Sequence, residues 1–171
     1  EELVLNKKID FSRYNYFYAT YLLNIGKIEQ AEKTTNSSLK LYPRNLLLNQ
    51  FKLDLNNGKH KNNFNCQNLS NIIAEIFYIT ANALSSQNIY TFSNFYLNLS
   101  KYLNNDFYSF NTLLAENFYK TDDFTQAKKI YKEMSKQGEA FFWYSAKQNA
   151  KIFIKEGKKE QALKLITNTY K

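Results

Sequence analysis

The chain has 171 residues, of which 44% are hydrophobic and 17% aromatic, enough apolar material for one domain or one short repeat array. With only 4 Gly and 1 Pro, turn signals are scarce, which disfavours a many-stranded β fold. The net charge is +8, and residues 120–171 carry most of it. Such an excess of lysine can serve an acidic or nucleic-acid partner. We favour the simpler interpretation that abundant Lys, Asn, Ile, Tyr and Phe reflect an AT-rich genome.

The same composition argues against several kinds of site. A single Cys and a single His cannot form an intramolecular disulfide or supply a structural zinc site. No apolar run reaches the roughly 20 residues that a membrane-spanning helix needs. We therefore predict no cofactor, no metal and no membrane span in this chain.

The N-terminal third predicts three helices. Residues 1–9 look like the end of an earlier helix, so we expect the chain to be part of a longer protein whose export signal, if any, precedes it. Apolar periodicity predicts a helix over 12–25, capped by Asp10 or Ser12 and ended at Gly26. A second helix over 28–42 ends before Pro43, and the short turn makes the pair antiparallel. A third helix over 46–55 precedes a polar, Asn-rich loop over 59–68.

The rest of the chain predicts six more helices and hence an all-α fold. They cover residues 70–86, 90–103, 107–120, 124–136, 139–156 and 159–170. The pair Ala81 and Ala115 is separated by 34 positions, and so is the pair Ser93 and Ala127. Small residues at these positions let two crossing helices approach closely. A helix–turn–helix period of 34 residues is the pattern of the tetratricopeptide repeat (TPR).

The chain resembles the TPR family over most of its length. One unit has small or apolar residues, a turn Gly and a terminal Pro at the expected places, namely Ala19, Leu22, Gly26, Ile28, Ala31, Leu39 and Pro43. Later units match with Ala81, Tyr90 and Ser93; with Ala115, Phe124 and Ala127; and with Ala150, Gly157 and Ala162. Two units carry Asn88 or Asp122 in place of the turn Gly, and both residue types tolerate left-handed backbone. The order and spacing of the segments also resemble TPR proteins of alphaproteobacteria.

The resemblance implies an α-solenoid of antiparallel hairpins with a right-handed superhelix. Its repeats would cover residues 12–43, 70–105, 107–138 and 139–171, and residues 45–68 would be a degenerate helix plus loop. A Gln-Ala phrase recurs at residues 30–31, 126–127 and 161–162, where it would mark the turn and first contact of a hairpin.

In such solenoids the first helix of each hairpin lines a concave groove that binds partners. Transferred position by position, the resemblance gives eight groove residues: Tyr16, Thr20, Tyr78, Asn82, Thr112, Glu116, Lys147 and Lys151. A carboxylate-clamp subclass is rejected, because Tyr78 stands where that clamp has a lysine. The predicted groove is polar and aromatic, and it turns basic at its end around Lys147, Lys151 and Lys155. Such a groove suits a protein partner, an extended peptide or an acidic helix better than a small molecule.

Catalytic motifs are not found, and we predict no enzyme activity. No phosphate-binding loop, HExxH or nucleophile-elbow motif occurs. His60 and Cys66 lie in the Asn-rich loop, which offers no rigid frame for a nucleophile pair, so we interpret the thiol as partly buried or idle. Asp122 and Asp123 are interpreted as turn and cap residues. Two alternatives to a protein-binding scaffold remain, a basic helical-repeat nucleic-acid binder, which we disfavour, and a TPR region of a larger multidomain protein. Self-association through the end helices is also open. The resemblance implies a bacterial protein, and the sequence leaves its compartment open between the cytoplasm and export to the periplasm.

Overall fold

In the computed structural model, residues 11–59 and 63–170 are described, and their regular structure is entirely helical. No strand occurs among them, so the predicted all-α class is confirmed for this part of the chain. The helices are α1 Ser12–Asn24, α2 Ile28–Leu41, α3 Leu46–Asn56, α4 Leu69–Ser86, α5 Tyr90–Leu103, α6 Ser109–Lys120, α7 Phe124–Met134, α8 Glu139–Lys155 and α9 Lys159–Tyr170. The expected helix end at residues 1–9 lies outside the described residues, as does His60. The chain forms two compact units, Glu1–Leu69 and Ser70–Lys171.

The first unit contains the hairpin of α1 and α2, with α3 packed against both helices. Asn15 Nδ2 near the start of α1 donates to Ser38 Oγ near the end of α2 at 2.9 Å, so the two helices run antiparallel. Asn45 caps α3 by accepting from the Leu48 N–H at 3.0 Å. The same side chain donates to Ser12 Oγ at 2.7 Å, which ties the start of α3 to α1.

The prediction that Ser12 caps α1 is wrong. The N-cap position is Phe11, which makes no side-chain capping bond, and Ser12 is the first helical residue. Its buried hydroxyl accepts from Asn45 instead. The other proposed cap, Asp10, lies outside the described residues.

All four hairpin turns use a residue in the left-handed region of backbone space. These residues are Gly26, Asn88, Asp122 and Gly157, with φ of 78°, 63°, 59° and 78°. After α6, for example, the Asp122 N–H donates to Tyr119 O at 3.3 Å and the Asp123 N–H donates to Phe118 O at 2.9 Å. This pair of bonds satisfies carbonyls that the helix end would otherwise leave unpaired. Asn88 and Asp122 thus replace the turn glycine as expected.

In the second unit, α4 and α5 form an antiparallel hairpin held by two serine hydroxyls. Ser93 Oγ donates to Ala81 O and Ser100 Oγ donates to Ala74 O, both at 2.8 Å. The later residue of α5 therefore meets the earlier residue of α4. Ala81 and Ser93 thus meet where α4 and α5 cross. Ala115 and Ala127, 34 positions later, are also fully buried, on the packed helices α6 and α7.

The first helices of successive hairpins in this unit lie side by side. The Tyr78 and Phe110 rings are 5.6 Å apart, and Ser85 Oγ donates to Asn117 Oδ1 at 2.6 Å. Both contacts join α4 to α6 with the same offset along the chain, so these helices run in the same direction. The pairs α6 with α7, α7 with α8 and α8 with α9 also pack together. The Trp143 and Tyr170 rings, 4.8 Å apart, join the start of α8 to the end of α9.

Candidate functional site

Two of the predicted groove residues belong to the core of the first unit. Tyr16 is 4% exposed and Thr20 is 3% exposed. The Tyr16 ring packs edge-on against Phe51 of α3 at 5.3 Å. Burial raises the pKa of Tyr16 to about 12. Since α3 covers this side of α1, neither side chain is accessible to a ligand there.

Three predicted residues on α4 and α6 are more accessible. Asn82 is exposed, whereas Tyr78 and Thr112 are half-buried. The Tyr78 ring contacts Phe110, so much of it supports the packing of α4 against α6. Asn82 and Thr112 therefore keep the polar surface that the groove hypothesis requires, and Tyr78 offers only part of its ring.

Glu116 of α6 is joined to α8 by a hydrogen-bonded aromatic cluster. The Tyr144 hydroxyl donates to Glu116 Oε1 at 2.6 Å, and the Tyr144 ring meets Tyr131 edge-on at 6.1 Å. Burial raises the pKa of Tyr131 and of Tyr144 well above the ordinary value, and the Glu116 carboxylate adds to both shifts. Both phenols therefore stay protonated near neutral pH, and Tyr144 acts as a fixed donor to Glu116.

Lys147 and Lys151 lie on the same side of α8 as Tyr144. They follow it by three and seven positions, which is the spacing of one helix face. Both lysines are exposed, and neither makes a hydrogen bond or ion pair within the part of the chain that the structure describes. Two available positive charges thus lie next to the side chain that links α8 to Glu116.

Lys155, which we expected to extend this basic end, is already engaged. Its Nζ donates to Asp122 Oδ1 at 2.9 Å and lies 4.7 Å from the centre of the Tyr119 ring. The hydrogen bond to Asp122 raises the pKa of Lys155. Of the three lysines predicted for the basic end, only Lys147 and Lys151 are therefore without a partner among the described residues.

Sequence reasoning missed a second site, a cleft formed by α7, α8 and α9. Its volume is about 360 Å³. Side chains from one face of each helix line it: Lys128, Lys132 and Ser135 from α7 and its end, Phe142, Ser145, Ala146, Asn149 and Phe153 from α8, and Leu165 and Thr169 from α9. The spacing on α8 offered a weak signal, because small polar residues share one face with two phenylalanines.

The remaining chemistry-bearing residues form no reactive cluster in the described part of the chain. Asp123 accepts from the Gln126 N–H at 3.1 Å and caps α7, so the interpretation of Asp122 and Asp123 as turn and cap residues is confirmed. Cys66 is exposed. Across residues 11–59 and 63–170, no three His, Cys, Asp or Glu side chains are grouped as metal ligands. No helix in these ranges is both long and apolar enough to cross a membrane.

Comparisons of the chain with protein-family models, with curated proteins and with solved structures each give no match.

Proposed function

We propose that this protein is a non-catalytic, TPR-like scaffold that binds an extended acidic peptide of a partner protein on the face of its first helices. The fold supports this assignment in three ways. Small residues that recur every 34 positions are fully buried, each hairpin turn holds a left-handed residue, and α4 and α6 run side by side. Stacked hairpins of this kind commonly bind partners on the surface formed by their first helices.

The observation that carries the ligand class is the availability of Lys147 and Lys151. They are exposed, and the described residues offer them no acidic partner. Asn82 and Thr112 add polar groups on α4 and α6, and an extended peptide can use such groups for main-chain hydrogen bonds. Carboxylates along the peptide would complement the lysines, mainly by steering encounter and fixing register.

In the test, a synthetic library of extended acidic peptides is screened for binding to the full chain. The affinity of the peptide that binds most tightly is then measured for two double variants. Lys147→Glu with Lys151→Glu reverses the proposed contacts. Lys129→Glu with Lys136→Glu makes the same change in net charge at exposed positions of α7 and just after it. We expect the first variant to weaken binding about tenfold or more at moderate salt, and the control to change it less than about threefold.

Two results would contradict the proposal. Equal losses in both variants would mean that only the overall charge matters, and unchanged affinity in both would remove the lysines from the site. Binding of single-stranded RNA that exceeds peptide binding and falls steeply with salt would favour the nucleic-acid alternative instead.

A further inference from the structure

The cleft between α7, α8 and α9 lies on the opposite side of α8 from Lys147 and Lys151. At 3.6 residues per turn, Ser145, Asn149 and Phe153 point away from the face that carries Tyr144. The cleft is therefore separate from the proposed peptide surface. Its volume of about 360 Å³ lies at the lower end of the range for small-molecule sites.

Two of the residues that line the cleft have a buried polar atom without a partner among the described residues. Ser145 is 2% exposed and its Oγ makes no hydrogen bond, and Asn149 Oδ1 is likewise buried and unpaired. A serine within a helix commonly donates to the carbonyl four residues earlier, which Ser145 does not do. Nearly all buried polar side-chain atoms in folded proteins have a partner. Because both residues line the cleft, its lining includes one hydroxyl and one acceptor that no described residue satisfies.

The walls are apolar and the rim is positive. The lining is mostly apolar, and Phe142, Phe153 and Leu165 are its large apolar side chains. Lys128 is already engaged, since its Nζ donates to Glu156 Oε1 at 2.6 Å and lies 4.8 Å from the centre of the Phe153 ring. Lys132 is exposed and makes no hydrogen bond or ion pair with any described residue. One cation at the rim is therefore available to a ligand.

We propose that this cleft binds a small carboxylic acid with an apolar body and an N–H donor, the chemistry of an N-acylated apolar amino acid. The carboxylate pairs with Lys132, the apolar body contacts Phe142, Phe153 and Leu165, and the N–H donates to Asn149 Oδ1. The Ser145 hydroxyl donates to an oxygen of the ligand. Each group of the ligand thereby matches a group of the cleft that is otherwise without a partner or is apolar.

The probe is N-acetyl-L-leucine, titrated into the full chain labelled with ¹⁵N, with its methyl ester as the matched compound without the charge. For a ligand of this size we expect a Kd of about 1 mM, with saturable amide shifts centred on Ser145, Asn149, Leu165 and Thr169. The ester should bind about fivefold more weakly, because it cannot pair with Lys132. Shifts that are absent up to about 10 mM, or spread evenly over the chain, would overturn the proposal.

Three variants separate the contacts. Lys132→Gln should weaken binding of the acid about fivefold and leave the ester unchanged, whereas the control Lys129→Gln, on the exposed side of α7, should leave both unchanged. Ser145→Ala should weaken both compounds without lowering Tm, since no protein hydrogen bond is lost. Equal behaviour of Lys132→Gln and the control would overturn the assignment of the carboxylate. Because Lys147 and Lys151 are not involved, failure here leaves the peptide proposal standing.

Discussion

The two junctions that join α6 to its neighbours in the second unit are built from different chemistry. On the side of α4 and α5, the contact is made by Asn117, and we call it the asparagine junction. Asn117 is fully buried and donates to Ser93 Oγ and Asn94 Oδ1 at 2.8 Å each, while it accepts from Ser85. On the side of α7 and α8, the contact is made by the rings of Tyr131 and Tyr144 and by the half-buried Glu116, and we call it the aromatic junction.

The two junctions are expected to have different roles, one in stability and the other near binding surfaces. In the asparagine junction each polar group of Asn117 has a partner, so it fixes the register of three helices and offers nothing to a ligand. Beyond the aromatic junction, α8 carries available lysines on one side and unpaired Ser145 and Asn149 on the other. Binding sites are thus expected around α8, and mutations should affect stability mainly around Asn117.

The largest effect should come from Asn117→Ala. It removes the three side-chain hydrogen bonds of Asn117 and takes a partner from the buried hydroxyls of Ser85 and Ser93. The free energy of unfolding should therefore fall by about 3 kcal/mol. Urea denaturation measures this change. The control Asn98→Ala, an exposed position on α5, should change it by less than about 0.5 kcal/mol. A loss below about 1 kcal/mol for Asn117→Ala would contradict the central structural role of the asparagine.

Alkaline pH should destabilise the aromatic junction and not the asparagine junction. Tyr131 and Tyr144 have raised pKa values in the folded chain, so the unfolded chain loses these protons first, near pH 10. Stability is therefore fully present below pH 10 and falls as pH rises further. Tyr16, with its pKa raised to about 12, adds to the same fall.

Urea denaturation at pH 9 and pH 11 measures this effect. We expect the unfolding free energy to fall by more than about 1 kcal/mol between the two values. Tyr131→Phe with Tyr144→Phe should make the fall smaller, because phenylalanine does not titrate. An equal fall in this double variant and in the parent would show that these phenols do not cause it.

At neutral pH, Tyr144→Phe alone tests the single bond to Glu116. Loss of the 2.6 Å hydrogen bond should cost about 1 kcal/mol, since Glu116 is half-buried and water can replace part of the interaction. Tyr102→Phe serves as the control, because Tyr102 is 86% exposed and should be neutral. Indistinguishable midpoints for the two variants would mean that this hydrogen bond does not stabilise the junction.

Substitution at a hairpin turn should have an effect no larger than that of Tyr144→Phe. Asn88 has a φ of 63°, so Asn88→Ala should cost about 1 kcal/mol, while Asn88→Gly should be neutral or slightly stabilising. Thermal unfolding of both variants measures the difference. Equal Tm values would be inconsistent with the left-handed backbone at this turn.

The sequence was sufficient to predict the helices and turns. The predicted helix ends lie within two residues of the observed ones, and both ends of α5 and of α9 were predicted without error. The start of α6 shows why ends shift. Phe107 fits the apolar period, but it is buried in the turn before the helix, which begins at Ser109. Periodicity reports burial, and burial continues past a helix end.

The sites were harder to predict, because they depend on what neighbouring helices cover. Tyr16 fits the groove position of a first helix, but α3 places Phe51 over it. Asn117 resembles any polar helix residue until its partners on α4 and α5 are known. The cleft requires a gap between α7 and α9, and no spacing in one helix reveals such a gap.

The most direct test of the proposed function is to map a selected acidic peptide by amide shifts in the ¹⁵N-labelled chain. Binding to the first-helix face predicts that the shifted amides cluster at Asn82 and Thr112 and, most strongly, at Lys147 and Lys151. Perturbed amides on α5, α7 and α9 instead would contradict peptide binding on the first-helix face.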